Sequence, residues 1–212
     1  MSLAAQLEAG AMSLGLELSG TQRDALCKYL DLLKKWNRVY NLTAIRDENE
    51  MLTHHLLDSL AVVPFLSEEN LLDVGSGPGF PGIPIAIAKP QQAVTVLDSN
   101  DKKCAFMRQA VAELNLENVS VCLQRVEVWT PGVRYSQIIS RAFASLPDFV
   151  ERCRHLLAPG GQLLAMKGQF PQDEIEALPA DFELQRTERL DVPGLNAERH
   201  LLWLAPKNEH SQ

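Results

Sequence analysis

Two hydrophobic periodicities divide this chain. Up to about residue 66, apolar side chains recur every three or four positions, which is the spacing of one face of a helix. From residue 71 onward, short apolar runs alternate with longer helical patterns, as strands and helices do in α/β proteins. The pattern predicts an N-terminal helical cap over residues 1–66 and an α/β domain over residues 67–212, packed as one globular unit.

Two capping boxes place the starts of helices in the N-terminal region. Ser19 is followed by Gln22, and Leu26, Leu30 and Leu33 then recur at helical spacing. Asp47 is followed by Glu50 and then by a second apolar stripe that contains the histidine pair 54–55. Because no histidine here has a partner at metal-ligand spacing, we interpret both as packing or capping residues.

The α/β region predicts a doubly wound, mostly parallel sheet. The predicted strands are 71–74, 93–98, 119–124, 137–140 and 161–167, and the predicted helices are 81–89, 101–116 and 146–157, with a short turn at 126–129. Two further strand-like stretches, 183–191 and 200–205, follow without a long helix between them. They predict an antiparallel hairpin at the C-terminal edge of the sheet.

Composition and charge narrow the class of protein. A hydrophobic fraction of 46% is ordinary for a globular domain and is enough for a sizeable core. The chain has no apolar run of membrane-spanning length and no pattern typical of a signal peptide, so we expect a cytoplasmic protein that does not enter a membrane. The four scattered cysteines are then reduced thiols. The net charge of −7 argues mildly against a nucleic-acid coat protein but leaves room for a local basic face.

The most informative segment is the glycine loop after the first predicted strand. Asp73 is followed by Gly75, Gly77 and Gly79 at alternate positions, and a candidate helix begins directly after them. Glycine permits a sharp turn and a close approach of the backbone to a ligand. Asp98 ends the second strand, where α/β folds place a carboxylate against a ribose diol. The segment therefore predicts a nucleoside-cofactor site.

The spacing of the loop distinguishes two cofactors. A dinucleotide fingerprint needs a third glycine for close helix–strand packing, and that position is occupied by Phe80. The acid two residues before the first glycine, together with the second acid and the C-terminal hairpin, is similar to class I S-adenosylmethionine-dependent methyltransferases. Methyl transfer is therefore favoured, and a nicotinamide oxidoreductase remains as the alternative.

Missing motifs narrow the methyl acceptor. The fourth strand is followed by 140–146, Ser-Arg-Ala-Phe-Ala-Ser-Leu, rather than by the Asn/Asp-Pro-Pro-aromatic motif common in methylation of exocyclic amines. The cysteine nucleophile needed for methylation at C5 of a pyrimidine is also missing there. An acceptor that is already nucleophilic, such as a purine N7, requires neither the amine-methylation motif nor a cysteine nucleophile. It needs no general base, so orientation alone supplies much of the acceleration.

The ordered motif set resembles the bacterial RsmG (GidB) family of 16S ribosomal RNA methyltransferases, which make 7-methylguanine in a decoding-region loop. The matching segments extend in order from about residue 20 to 205 and are 41–46 (NLTAIR), 55–59 (HLLDS), 73–84 (DVGSGPGFPGIP), 97–99 (LDS), 140–144 (SRAFA) and 167–169 (KGQ). The resemblance implies a class I methyltransferase fold, S-adenosylmethionine as methyl donor, and 16S rRNA or the 30S particle as partner of a monomeric enzyme.

The resemblance also implies roles for individual residues. The implied cofactor-binding positions are Asp73, Gly75, Gly77, Gly79, Phe80, Asp98, Ser99, Val126, Glu127 and Arg141. Among them Asp98 binds the ribose, and Val126 and Glu127 edge the adenine. Arg141 is in addition the only candidate for a catalytic role, because a strand end lies in the binding crevice and the side chain can face the acceptor guanine. No metal site is expected.

Four residues are candidates for RNA contact: Lys102, Lys103, Phe143 and Lys167. Phe143 can stack on an unpaired base, although a core position is an equal alternative. The two adjacent lysines open a helix near the crevice, where a solvated face is equally compatible with the pattern. Two other classes of function stay open: a methyltransferase for a small molecule or another RNA position, and a non-catalytic ribosome-assembly factor that retains the fold.

Overall fold

The computed structural model describes residues 2–207, and the sheet within them has seven strands. They are β1 (Leu71–Val74), β2 (Val94–Asp98), β3 (Val119–Leu123), β4 (Tyr135–Ser140), β5 (Leu157–Lys167), β6 (Phe182–Arg189) and β7 (His200–Pro206). The strand order is β3-β2-β1-β4-β5-β7-β6. Strands β1 to β5 are parallel, and β7 runs antiparallel between β5 and β6. The predicted parallel sheet with a C-terminal antiparallel hairpin is confirmed.

The described helices are α1 (Leu3–Ser13), α2 (Gly20–Tyr40), α3 (Glu48–Met51), α4 (Asp58–Leu60), α5 (Gly82–Ala88), α6 (Asp101–Leu114), α7 (Leu146–Cys153) and α8 (Gln172–Glu176). A π-helical turn, Leu52–Leu57, joins α3 to α4. Both predicted capping boxes begin helices: Ser19 caps α2 reciprocally with Gln22, and Asp47 accepts two backbone N–H bonds at the start of α3.

Three predicted helices are shorter than expected. Helix α5 begins after Pro81, and α6 ends at Leu114 because Asn115 adopts a left-handed conformation with φ of 52°. Helix α7 ends at Cys153 and passes through a short 3-10 turn, since Leu157 already pairs with Tyr135 as a strand residue. At the ends of α6 and α7 the apolar residues Leu116, Leu156 and Leu157 continue the pattern, so the pattern alone placed these two ends too late.

Burial explains the apolar character of the central strands. All four residues of β1 are buried, as expected where helices cover both faces of a parallel sheet. The larger hydrophobic cluster combines N-terminal side chains such as Tyr29 and Leu56 with Phe80 and Phe106 of the α/β region. The helical cap thus shares a core with the sheet. The division into residues 1–66 and 67–212 remains a prediction, and its terminal positions 1 and 208–212 lie outside the described residues.

Candidate active site

The glycine loop lies at the carboxyl ends of β1 and β2, and a cavity of about 270 Å³ opens beside it. Its lining comprises Val74, Gly75, Leu97, Asp98, Ser99, Gln124, Arg125, Val126, Glu127, Ala142, Phe143 and Arg152. Apart from Arg152 of α7, these residues end or follow four neighbouring parallel strands, which is the usual place for a ligand in an open α/β sheet. A larger concavity of about 670 Å³ is lined by Ser13 and the segment 189–198, away from all predicted cofactor residues.

Asp98 connects the glycine loop to the start of α6 at the wall of this cavity. Its Oδ2 accepts a hydrogen bond of 2.8 Å from the N–H of Gly77, and its Oδ1 accepts one of 2.8 Å from the N–H of Asn100. Helix α6 is capped by the side chain of Asn100. Asp98 therefore does not cap this helix. Each carboxylate oxygen has a second lone pair, so both can still accept a hydroxyl proton.

Gly75 is required by its surroundings as well as by its backbone. Its φ is +71°, a conformation that side chains with a β-carbon rarely adopt. A β-carbon at this position would also stand 2.8 Å from the Cβ of Ala142. The loop after β1 and the segment after β4 therefore approach each other as closely as glycine permits, which forms one wall of the cavity.

Asp73 and Phe80 lie beneath the loop and not in the cavity lining. Asp73 Oδ2 accepts the N–H of Gly82 at 2.8 Å, and its Oδ1 is buried and accepts no hydrogen bond from the part of the chain that the structure describes. Burial raises the pKa of this carboxyl to about 6. Phe80 is buried and stacks on His55, with ring centroids 4.6 Å apart. Both residues support the loop from the core side.

His55 belongs to this support and is buried. Its Nε2 lies 2.9 Å from Thr43 Oγ1, and its Nδ1 is buried with no hydrogen-bond partner among residues 2–207. Burial, with a smaller contribution from the guanidinium of Arg141, lowers the pKa of His55 to about 4. The packing role expected of this residue is therefore the one observed.

The lysine candidates divide into two groups. Lys102 is exposed at the start of α6, and Lys103 Nζ lies 4.0 Å from the place that a β-carbon on Gly77 would occupy. Lys103 thus extends over the glycine loop. Lys167 is instead held inside the fold, because its Nζ pairs with Glu174 at 2.8 Å and donates to the carbonyl oxygen of Ala144 at 3.2 Å.

Phe143 lines the cavity with one part of its ring and packs with another. Its ring stacks on Phe149 of α7 at a centroid distance of 4.9 Å. Phe143 therefore belongs partly to the cavity wall and partly to the hydrophobic core. Arg141, two residues earlier, turns away from the cavity toward Asp58, with Nη1 at 2.9 Å from Oδ2.

Several cavity residues were missed by the sequence reasoning. Gln124 and Arg125 directly follow β3, and that position was the available signal for them. Arg152 comes from α7 and pairs with Glu127 and with Asp148. Its spacing to Asp148 is that of an ordinary helical ion pair, so the sequence did not indicate that it lines the cavity. Within residues 2–207 no group of three or more His, Cys, Asp or Glu side chains is arranged to hold a metal.

Comparison with known proteins identifies the family. The model of rRNA small subunit methyltransferase G, GidB, matches residues 22–202. The chain belongs to the GidB family. It is 53% identical over 201 residues to ribosomal RNA small subunit methyltransferase G of Nitrosococcus oceani, covering 95% of this chain and 94% of that one. The corresponding protein of Neisseria meningitidis serogroup A is 52% identical over 203 residues, with coverages of 95% and 98%.

Solved structures confirm the class I methyltransferase fold expected for a GidB chain. Magnesium protoporphyrin IX methyltransferase from Synechocystis PCC 6803 superposes with a TM-score of 0.59 at 15% identity, covering 83% of this chain and 96% of that one. At that identity the likeness concerns the fold alone. No described helix is long and apolar enough to span a bilayer.

Proposed function

We propose that this GidB-family chain transfers the methyl group of S-adenosylmethionine to N7 of a guanine in the decoding-region loop of 16S ribosomal RNA. The observation that carries the proposal is the family match across residues 22–202 with an intact cavity at the carboxyl ends of β1 to β4. The relatives named above are small-subunit rRNA methyltransferases. The Synechocystis enzyme, which shares the fold, was solved with the same donor bound.

The residues of the cavity fit this donor. Asp98 offers two carboxylate oxygens for the ribose diol, each already fixed by one backbone N–H. Val126 is buried beside the cavity and Glu127 is exposed at its rim, which suits an adenine with an apolar face and a polar edge. Gly75 and Gly77 bring main chain rather than side chain toward the remainder of the molecule. When bound, the donor supplies an electrophilic methyl group on a positively charged sulfur.

Purine N7 suits a site of this kind as acceptor. Its lone pair carries no proton, so the enzyme does not have to remove one before the methyl group moves. The chain then needs only to hold the base in line and exclude water, and orientation of this kind contributes about 7–11 kcal/mol to catalysis. Phe143, partly exposed at the cavity wall, is the aromatic side chain available to stack on the base.

The remaining expectations form part of the same proposal. We infer a monomeric cytoplasmic enzyme without membrane attachment, with a helical cap of residues 1–66 on a methyltransferase domain of residues 67–212. Its RNA partner is 16S rRNA, free or within the 30S particle. Asp73, Gly79 and Phe80 retain supporting roles toward the donor, and Ser99 a direct one, because only Ser99 among them lines the cavity. Arg141 does not line the cavity either, and we assign it to the acceptor, the other role expected of it.

The test is a methylation assay with isotope-labelled S-adenosylmethionine and 30S particles or 16S rRNA from cells that lack the gene. We expect one labelled guanine, whose product has the chromatographic and mass-spectral properties of 7-methylguanine. Label at an exocyclic amine, on a ribose or on a small molecule would contradict the proposal. Tight RNA binding without turnover would favour an assembly factor instead.

A further inference from the structure

A buried carboxylate joins two arginines that are far apart in the sequence. The side chain of Asp58 is completely buried, at the first residue of α4. Its Oδ2 accepts a hydrogen bond of 2.9 Å from Nη1 of Arg141, and its Oδ1 accepts one of 2.8 Å from Nε of Arg199. One negative charge therefore holds two positive charges, and the cluster keeps a net charge of about +1.

The guanidinium groups retain donors for another acceptor. Arg141 uses Nη1 for both of its hydrogen bonds, to Asp58 and to the carbonyl oxygen of His54. Its Nε and Nη2 make no hydrogen bond to residues 2–207. The side chains of Arg141 and Arg199 are 29% and 23% exposed, whereas Asp58 is inaccessible. Solvent and ligands thus reach the arginines and not the acid that orients them.

The helix that carries Asp58 has an irregular hydrogen-bond pattern directly before this residue. Its π-helical turn spans Leu52–Leu57, and the N–H of Asp58 bonds to the carbonyl oxygens of Thr53 and His55. The intervening carbonyl of His54 accepts the Nη1 of Arg141 at 3.0 Å. Interruptions of this kind frequently occur at functional sites, because they free a backbone group for another partner. Here the freed group and the carboxylate bind the same guanidinium.

Both arginines lie at the edge of the sheet where the donor cavity opens. Arg141 directly follows Ser140, the last residue of β4. Arg199 directly precedes His200, which pairs with Lys167 at the end of β5. Because β7 is antiparallel, its start and the ends of the parallel strands share one edge.

We propose that Asp58 is a positioning residue that fixes Arg141 and Arg199 as a rigid pair directed toward the phosphate backbone of the RNA acceptor. This inference rests on the proposed function, since it assigns the acceptor side of the same site. Bidentate guanidinium recognition of phosphate requires fixed geometry, which two long side chains do not hold without a common anchor. The π-helical turn and the buried carboxylate supply that anchor.

The sign of the charge change makes the proposal testable. Asp58→Asn removes a negative charge, so a purely electrostatic effect would strengthen RNA binding. If Asp58 acts through geometry, kcat/KM for the RNA falls by about tenfold to a hundredfold, the scale expected for a misplaced substrate. The dissociation constant for S-adenosylmethionine, measured by calorimetry, stays within twofold of wild type, because none of the three residues lines the donor cavity. Asp58→Asn with wild-type kcat/KM would overturn the proposal.

Two matched variants separate positioning from folding. Ser59→Ala removes a buried hydrogen bond of 2.5 Å to the carbonyl of His55 on the same helix, and it leaves both guanidinium contacts in place. We expect it to lower the melting temperature while kcat/KM for the RNA stays within twofold. In an Arg141→Gln/Arg199→Gln background, Asp58→Asn should cause no further loss of kcat/KM and should raise the melting temperature, because it removes an unpaired buried charge. A further loss in that background would overturn the proposal.

If Asp58→Asn does not fold, Arg199→Lys tests whether the fixed guanidinium geometry is required. Lysine keeps the charge but not the planar fork, so fixed geometry predicts a fall of about tenfold or more in kcat/KM with unchanged donor affinity. Wild-type kcat/KM in Arg199→Lys would overturn the inference. A wild-type protein that transfers no methyl group to rRNA would instead overturn the proposed function, and direct RNA binding by Asp58→Asn would still test the geometry.

Discussion

The N–H of Gly77 donates a hydrogen bond of 2.8 Å to Oδ2 of Asp98, which ties the glycine loop to the end of the second strand. The same carboxylate anchors Asn100, the cap of α6. Asp98 therefore fixes two segments of the donor cavity while it remains at the cavity wall. Substitutions there test both functions at once.

Asp98→Ala should weaken binding of S-adenosylmethionine by about tenfold to a hundredfold. A hydrogen bond to a charged group contributes about 1.5–3 kcal/mol, which corresponds to that range of affinity. Isothermal titration calorimetry measures the effect. Asp98→Asn keeps one oxygen acceptor, so its affinity for S-adenosylmethionine should lie between those of wild type and Asp98→Ala. Asp101 is exposed, and Asp101→Asn controls for the change in charge. Unchanged affinity in Asp98→Ala would contradict the ribose assignment.

Gly75→Ala should abolish donor binding, and Gly15→Ala is its matched control. Both glycines have a positive φ, +71° and +73°, but a β-carbon on Gly15 would meet nothing within 4 Å. Each substitution incurs about 1–2 kcal/mol of backbone strain, measured by urea denaturation. Gly75→Ala alone also meets Ala142, so it should be the less stable variant. Equal stability and intact donor affinity would show that the close approach at Gly75 has no consequence.

His55 should make the protein less stable as the pH falls from about 6.5 to about 4. Its pKa is lowered in the folded state from 6.5 to about 4, so the unfolded chain binds a proton more readily across that window. Above pH 6.5 the neutral His55 contributes about 3 kcal/mol to the free energy of unfolding relative to its protonated form, and this contribution is lost on acidification. The difference in unfolding free energy between wild type and His55→Gln, followed against pH, isolates it. A difference that does not vary between pH 4 and 7 would contradict the buried, neutral state.

Lys167 and Glu174 should act as one unit that positions the segment containing Phe143. Lys167 Nζ pairs with Glu174, whose Oε2 also accepts the N–H of Leu146 at 2.7 Å. We expect Lys167→Met and Glu174→Gln to lower kcat/KM for the RNA to similar extents, with an interaction energy of about 1 kcal/mol in the double variant. If Lys167 contacts RNA directly, only Lys167→Met weakens RNA binding. Filter binding at several salt concentrations distinguishes the two.

The sequence was sufficient to predict those features that depend on neighbouring residues, namely the secondary structure, the helix caps and the glycine loop. Apolar periodicity predicts the strands and helices, and the capping boxes at Ser19 and Asp47 mark helix starts that the structure confirms. The alternate glycines predict a sharply turning loop against a ligand, and in the structure all three adopt the positive φ that most other residues avoid. Asp98 could be found by its place at the end of a strand, since parallel strands end at one edge of the sheet.

The tertiary structure decided how charges are paired and which side of the loop each residue faces. Phe80 is part of the cofactor motif in sequence, yet it is buried against His55 because the loop turns its ring inward. Asp58 lies beside an apolar helical stripe, and its partner Arg199 is 141 positions away. A buried charge requires partners, but no periodicity indicates which distant side chains supply them. The sequence by itself determined the fold and the donor loop, whereas only the packed chain determined that Asp58 meets Arg141 and Arg199.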